Sequence, residues 1–286
     1  MKIENLEKRA EMLGRIRTYF DRSGFIEVET PVRIAAPAPE VHIDCPASGR
    51  AFLRASPELE MKRLLASGMK KIYQIGPCFR EGECGSKHQP EFTMLEWYRA
   101  NASCNEIMED AKNIVSDILP GKAGNFSVIT VSEAYRKFAG WDPLENWNQE
   151  KFDVDMAVKI EPSLGEGAVF LVDYPVQAAS LAAVNPVDPR TASRWELYID
   201  GIEIANAFTE LTDPAVQRER FELARNERRA NGEADYPMPE KFLEDLAFMP
   251  PSGGAALGID RLAMLACSEK DISAVRTFSA KPGECV

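Results

Sequence analysis

Two glutamates, Glu196 and Glu203, flank the dipeptide Asp200-Gly201. Asp-Gly favours a two-residue hairpin turn, which would pair Ile199 with Ile202 and Tyr198 with Glu203. Glu196 lies two residues from Tyr198 and shares its face, so the two carboxylates become diagonal neighbours. Like charges that close repel unless a cation sits between them, and hard oxygen ligands suit Mg²⁺. The other reading is a pair of solvent-facing glutamates. Strict alternation puts Asn206, Phe208 and Glu210 on the face opposite Glu203, so a pocket lined by all of them requires a bulge or twist near Ala205.

A second constellation lies on the stretch 91–98, where Phe92, Met94, Glu96 and Tyr98 fall on one face of a strand. An acid, a phenol and two large apolar groups on one face could hold a cation beside a flat ring. The same face could instead be core with one awkward carboxylate, but burying an unpaired carboxylate is expensive. Arg80, before a polar loop, and Arg261, near a helix start after Gly258, are candidates for phosphate recognition by a planar fork. Either arginine alone is more often a surface residue. No G-x-G-x-x-G follows an early strand and no G-x-x-x-x-G-K-[ST] is present, so nucleotide binding of the Rossmann or P-loop kind is excluded. No convincing Cys–His or Ser–His pair offers a protein nucleophile.

These groups need elements to carry them. Leu6, Ala10, Leu13, Ile16 and Phe20 sit at helical spacing, predicting a helix over 5–22 that Gly24 ends. An extended piece, 25–30, runs into Pro31. A helix follows over 57–66, with Ser56 as N-cap and Pro57 at its first position. Strands are expected at 72–79 and 91–98 around the loop 80–90, a helix at 105–119, and a buried strand at 168–174. The hairpin spans 194–199 and 202–211. A helix covers 214–230, and a glycine-rich strand at 253–258 leads into a helix at 259–266. The stretch 120–167 has weak periodicity and reads as a peripheral insertion in one catalytic domain spanning 1–286. Hairpin-joined strands with helices elsewhere argue for an α+β fold with a mainly antiparallel sheet.

Composition narrows the partners. A net charge of −11 disfavours tRNA or other nucleic acid as the main ligand, because phosphate contacts call for a basic face. The one basic stretch, 218–229, alternates with Glu219, Glu222 and Glu227 and reads as a solvated helix face. With no apolar run of about 18 residues no membrane span is expected, and Met1-Lys2-Ile3-Glu4-Asn5 is not a signal sequence, so a cytoplasmic protein is expected. Cys45, Cys78, Cys84, Cys104, Cys267 and Cys285 form no C-x-x-C pair, and His42 and His88 are the only histidines. That reads as reduced, mostly buried thiols rather than a zinc site.

The stretch 22–31 (RSGFIEVETP) resembles motif 1 of class II aminoacyl-tRNA synthetases. Phe79-Arg80 with 88–98 (HQPEFTMLEWY) resembles motif 2, and 254–261 (GAALGIDR) resembles motif 3. The segments 201–213 (GIEIANAFTELTD) and Ser56-Pro57-Glu58 with Lys62-Arg63-Leu64 resemble the amino-acid-binding segments of the lysyl enzymes. The five blocks keep the family's order over nearly the whole chain. Within that group the chain is most similar to the elongation factor P–(R)-β-lysine ligases. Its first helix begins at once, so no N-terminal OB-fold domain is expected. The 91–99 block looks like the ligase form of motif 2, and Ala256 stands where lysyl-tRNA synthetases usually carry glycine.

The resemblance implies an α+β class II synthetase-like antiparallel sheet flanked by helices, ATP and Mg²⁺ as cofactors, and a homodimer in which a partner partly covers Phe25, Ile26 and Pro31. It implies ATP contacts at Arg80, Glu81, Gly82, Glu83, His88, Gln89, Phe92, Glu196, Leu197, Gly258 and Arg261. Arg80 would hold the α-phosphate and Arg261 the γ-phosphate, as the catalytic pair. Phe92 would stack on adenine, and Glu196 and Glu203 would bind Mg²⁺. Ser56, Pro57, Glu58, Glu96, Tyr98, Glu203, Asn206, Phe208, Glu210 and Ala256 would bind the amino-acid substrate. Glu58 would take its α- or β-amino group, and Glu96, Tyr98 and Glu210 its terminal ammonium. One position departs from the pattern: motif 2 usually has a glutamate two residues after its arginine, and here that residue is Gly82, with Glu81 and Glu83 on either side. The implied reaction activates lysine or (R)-β-lysine as an adenylate and transfers it to a lysine of elongation factor P. A truncated lysyl-type synthetase acting on tRNA or free lysine, and a non-catalytic amino-acid sensor, are the other readings of the same blocks.

Overall fold

The computed structural model of the chain describes residues 2–41, 43–122 and 124–280; His42 and Cys285 lie outside them. The chain divides into two compact units, each discontinuous in sequence. The first comprises Met1–Asn101, Thr212–Ser252 and Leu257–Val286, and the second Ala102–Leu211 with Gly253–Ala256. Each is α+β, with mainly antiparallel strands backed by helices.

In the first unit the helix Ile3–Arg22 buries Met12, Ile16 and Phe20, the four-residue spacing that puts side chains on one stripe. Phe20 stacks on Tyr73 at 4.4 Å and meets Trp97 at 5.8 Å. The helix therefore lies against two strands, Lys71–Phe79 and Glu91–Ala100, which pair antiparallel from Lys71↔Arg99 to Phe79↔Glu91. The short strand Ile26–Glu27 adds in parallel to the first of them. Phe25, expected to be covered by a second chain, is instead buried by its own unit, with its ring 5.0 Å from Phe20. Ile26 remains 57% exposed.

The basic helix Pro214–Ala230 forms as expected, with Asp213 accepting from Ala215 N at 2.8 Å as its N-cap. Glu219, Glu222, Glu227 and Arg229 are exposed, but Arg228 corrects the reading of a wholly solvated face. It is fully buried, donating to the Glu40 carbonyl and to Asp44 at 2.8 and 2.5 Å. A planar guanidinium can satisfy several acceptors at once, which a surface charge run does not reveal. The helix Glu240–Leu246 was not legible, being only two turns long.

In the second unit Phe126–Thr130 pairs in parallel with Ala168–Pro175, which pairs antiparallel with Thr191–Ile199, which pairs with Ile202–Thr209. Asp200 and Gly201 both take positive φ, 51° and 70°, as a two-residue hairpin turn requires. Ile199↔Ile202 and Tyr198↔Glu203 pair as expected, and the register then shifts between Glu203 and Ala205. The required bulge is present, and it sets Asn206 opposite Glu196 and Phe208 opposite Arg194.

The 120–167 stretch, expected as a peripheral insertion, contains that Phe126–Thr130 strand and the helices Val131–Phe138 and Gln149–Asp155. Val131, Ala134, Tyr135, Phe152 and Ile160 join Leu171, Tyr174 and Tyr198 in one buried apolar cluster. Its short helices were hard to read because their order comes from this shared core rather than from long periodicity. Among the described residues no helix is long and apolar enough to cross a membrane. Cys45, Cys78, Cys104 and Cys267 are free thiols, whereas Cys84 is disulfide-bonded, so the reduced-thiol expectation fails there.

Gly253 shows why the glycine-rich strand needs glycine. A Cβ there would lie 2.5 Å from the Ser103 carbonyl oxygen and 2.8 Å from Ile107 Cγ1, against the start of the helix Cys104–Ile118. Backbone cannot yield as a flexible side chain does. Gly253→Ala is expected to destabilise the protein by about 1–3 kcal/mol in urea unfolding. Parent-like stability would show that strand and helix can separate without cost.

Candidate functional site

The residues with chemical potential fall into three sets, each within one unit. The first follows from the loop 80–90 of the first unit. The Arg80 guanidinium lies 5.2 Å from the Phe92 ring centroid, a cation–π contact between residues that the adjoining strand ends bring together. Of the two acids beside Gly82, Glu83 faces Arg80, with Oε1 3.6 Å from Nη1, while Glu81 and Gly82 are exposed. Arg261 Nη2 lies 2.6 Å from His88 Nε2, which accepts the bond when the ring is neutral. Gln89 is buried and donates to the Ala280 carbonyl at 3.3 Å. Gly258 precedes the helix Ile259–Ala266, which carries Arg261 on its first turn.

The neighbour of Arg261 is a structural node that sequence reasoning passed over. Asp260 is 2% exposed, and its carboxylate meets Arg9 and Arg276 at 2.5 Å each and accepts from Thr93 N at 2.9 Å. Two arginines on one buried carboxylate fix the first helix, the C-terminal part and the Phe92 strand relative to one another. Nothing in the local pattern marks Asp260, since its partners come from positions 9, 93 and 276.

The second set is acidic and also lies in the first unit. Glu96 is 1% exposed, and accepts from Tyr98 OH at 2.6 Å and Ser56 Oγ at 2.8 Å. The bond to Tyr98 follows from alternation, which puts both side chains on one face. Ser56 Oγ also accepts from Glu58 N at 3.0 Å, a turn bond spanning two residues, but the expected N-cap is corrected: Pro57 is the N-cap of the helix Glu58–Ala66, and no side chain caps it. Lys62, one turn on and 1% exposed, donates to Glu58 at 2.5 Å. Burial first, and repulsion from Glu58 second, push the Glu96 carboxyl up to about 7, against the pull of its hydrogen bonds and of Lys62. Lys62 lies in a block that resembles the amino-acid-binding segments, but no role of its own was legible because a lysine on a helix is usually solvated.

The third set is built on the hairpin of the second unit. Glu196 is 8% exposed and every oxygen is engaged. Tyr174 and Tyr198 hydroxyls each donate to Oε2 at 2.6 Å, and Arg194 Nη2 donates to Oε1 at 2.5 Å. Glu203 is half-buried, and Glu210 is buried beyond the strand end, bridged to Ala182. Asn206, Phe208 and Ala256 are half-buried. Leu197 has a fully buried side chain, so it can meet a ligand only through its main chain.

The donor set suits a hard cation in a restricted way. A carboxylate offers about four lone-pair positions. The two phenols fill those of Oε2, and Arg194 takes one on Oε1, leaving one. Glu196 can thus act as a one-point ligand through Oε1, with Glu203 beside it on the paired strand. Two carboxylates alone underfill six-coordinate Mg²⁺, which usually completes its shell with water and phosphate oxygens. Among the described residues no group of three or more His, Cys, Asp or Glu could hold a metal.

A scan against family models matches residues 2–282 to the class II tRNA synthetases (D, K and N). Among curated proteins, the chain is similar to three relatives named elongation factor P–(R)-beta-lysine ligase. That of Hamiltonella defensa is 35% identical, that of Proteus mirabilis 36% and that of Vibrio cholerae 37%. In each case the match covers 96% of this chain and 95% of the relative.

Because Glu96 changes charge near neutrality, binding of an amine-bearing amino acid should depend on pH. Below about 7 the carboxyl is protonated and offers an ammonium no charge; above it the carboxylate attracts one. Calorimetry between about pH 6 and pH 8 should show lysine-like ligands binding more tightly as pH rises. Glu96→Gln should bind weakly and with a flat profile. An unchanged profile in that variant would show that another group sets the dependence.

Proposed function

The chain belongs to the class II tRNA synthetase family (D, K and N), and from that premise we propose that it is a ligase acting on elongation factor P. It activates (R)-β-lysine or lysine with ATP and Mg²⁺, and transfers the acyl group to a lysine side chain of elongation factor P. In the first step a substrate carboxylate oxygen attacks the α-phosphorus and the bond to pyrophosphate breaks. In the second the acceptor amine attacks the acyl carbon, AMP leaves, and the amine proton passes to solvent. Neither step needs a protein nucleophile, only alignment and charge stabilisation.

The observation that carries this reading is the buried acidic set. Glu96 beside Glu58, with a phenol and a hydroxyl holding it in place, suits a substrate that brings its own ammonium groups. Glu58 would take the α- or β-amino group while retaining Lys62, since its carboxylate has acceptor positions to spare. Glu96 and Tyr98 would receive the terminal ammonium, while a part for Glu210, Asn206 and Phe208 in substrate binding rests on the resemblance alone. Arg80 would neutralise charge on the α-phosphate, Phe92 would stack on adenine, and Arg261 would hold the γ-phosphate with His88 and Gln89 near the nucleotide. Glu83, which faces Arg80, is the better substitute for the motif 2 glutamate absent at Gly82. Glu196 and Glu203 would hold Mg²⁺, which when bound would supply positive charge to ease the departure of pyrophosphate. We take the enzyme to act in the cytoplasm as a homodimer, for which the exposed Ile26 and Pro31 remain open to a partner.

The test is Mg²⁺-dependent ATP–pyrophosphate exchange with each lysine isomer, followed by acylation of elongation factor P and of tRNA. Arg261→Ala and Glu203→Ala should each lower exchange on the order of a hundred-fold or more. Near-normal exchange in both variants, or acylation of tRNA alone, would sink the proposal.

Ala256 offers a finer test. A methyl group at the floor of the pocket would crowd an amino group on the α-carbon more than one on the β-carbon. A single methyl typically changes discrimination by about 1–3 kcal/mol, or roughly 10–200-fold. (R)-β-lysine should therefore be the better substrate, with α-lysine activated weakly. Ala256→Gly should shift the ratio toward α-lysine; an unchanged ratio would place the selector elsewhere.

A further inference from the structure

Arg194 was not among the residues with an expected role, yet all three nitrogens of its guanidinium are engaged. Its Nη1 donates to the Ala178 carbonyl at 2.6 Å, its Nη2 to Glu196 Oε1 at 2.5 Å, and its Nε to Asn206 Oδ1 at 3.2 Å. Its guanidinium lies 4.4 Å from the Tyr174 ring centroid and 5.6 Å from that of Phe208. The side chain is only 16% exposed. One flat, permanently charged group thus touches Glu196, Asn206 and Phe208 together.

Two consequences follow from which atoms it touches. On Glu196 it takes one position of Oε1, and because Tyr174 and Tyr198 hold Oε2, the carboxylate can neither rotate nor chelate through both oxygens. On Asn206 it binds the amide oxygen, which fixes the amide so that its NH₂ points away from the guanidinium. A lysine would keep the charge but could not reproduce three donor directions in one plane with two ring contacts.

We propose that Arg194 is a positioning residue that holds Glu196 as a one-point metal ligand and sets the amide orientation of Asn206, so that metal and substrate are aligned by one rigid group. The proposal rests on the functional reading above for the identity of the metal and the substrate. Residues that orient a metal ligand typically change metal affinity or activity by about 10–100-fold when altered.

The experiment uses the whole chain with Mn²⁺ as a paramagnetic probe and a non-hydrolysable ATP analogue. Free Mn²⁺ is followed by electron paramagnetic resonance in wild type, Arg194→Lys and Arg194→Gln. Thermal unfolding of each variant is recorded alongside, and KM for lysine and kcat are measured separately by pyrophosphate exchange. In both variants Mn²⁺ should bind about tenfold or more weakly, and KM for lysine should rise. Affinity for the analogue in EDTA should stay within about twofold, the ordinary context-dependent spread, since Arg194 touches no predicted phosphate ligand. Either variant alone decides the matter if the other does not fold. Mn²⁺ affinity and KM at wild-type values in a folded variant would overturn the proposal and leave Arg194 as a packing residue. So would a wild-type protein that binds no Mn²⁺ with the analogue. If the wild type binds Mn²⁺ and the analogue but exchanges no pyrophosphate with either lysine isomer, the functional reading fails, and the Mn²⁺ titration still judges Arg194.

Discussion

A carboxylate taken out of water must be met by donors, and this molecule is organised around two that are. Glu96 and Glu196 sit on different strands, yet each is gripped the same way by a tyrosine two residues later, Tyr98 and Tyr198, at 2.6 Å. The Glu-x-Tyr spacing places acid and phenol on one face of a strand, and the residue between, Trp97 or Leu197, turns into fully buried core. The core residue thus holds the strand while its neighbours hold the charge. What differs is the remaining partner. Glu96 has a neutral hydroxyl and a second acid nearby, so its carboxyl is pushed up to about 7. Glu196 has a guanidinium, which keeps an acceptor of fixed direction inside the protein. One arrangement suits an exchangeable cation from a substrate, the other a metal held at a single point.

Packing gives these grips their rigidity. Tyr174 and Tyr198 belong to the apolar cluster completed by Tyr135 and Phe152, whose rings stack at 4.9 Å. The weakly patterned 120–167 stretch therefore supports the hydroxyls that hold Glu196. In the other unit Asp260 plays the corresponding part for Arg261 and Phe92, gathering Arg9, Arg276 and the Thr93 amide on one carboxylate. Such a node is stable only while all its members are present, because removing one leaves buried charge uncompensated.

The relatives and the geometry give different kinds of information. Three ligases at 35–37% identity over nearly their whole length fix the family. The geometry adds what identity at that level does not carry: which acid beside Gly82 turns toward Arg80, and which oxygen of Glu196 keeps an open acceptor position.

The sequence by itself determined whatever depends on neighbours along the chain. The Asp200-Gly201 turn, the pairing of Ile199 with Ile202 and the shared face of Glu96 and Tyr98 follow from local backbone geometry and alternation. Even the bulge before Ala205 was legible, because no regular strand could bring Glu203 and Asn206 to one pocket. Only the tertiary structure decided the partners. Ser56 meeting Glu96, Arg228 meeting Asp44, Arg9 and Arg276 meeting Asp260, and Arg194 lying between two rings join residues far apart in sequence or hidden within a charged run. Residue type alone cannot distinguish a solvated arginine from one whose guanidinium has been enclosed. That difference lies in desolvation and in acceptors that other segments supply, and these exist only once the chain has folded.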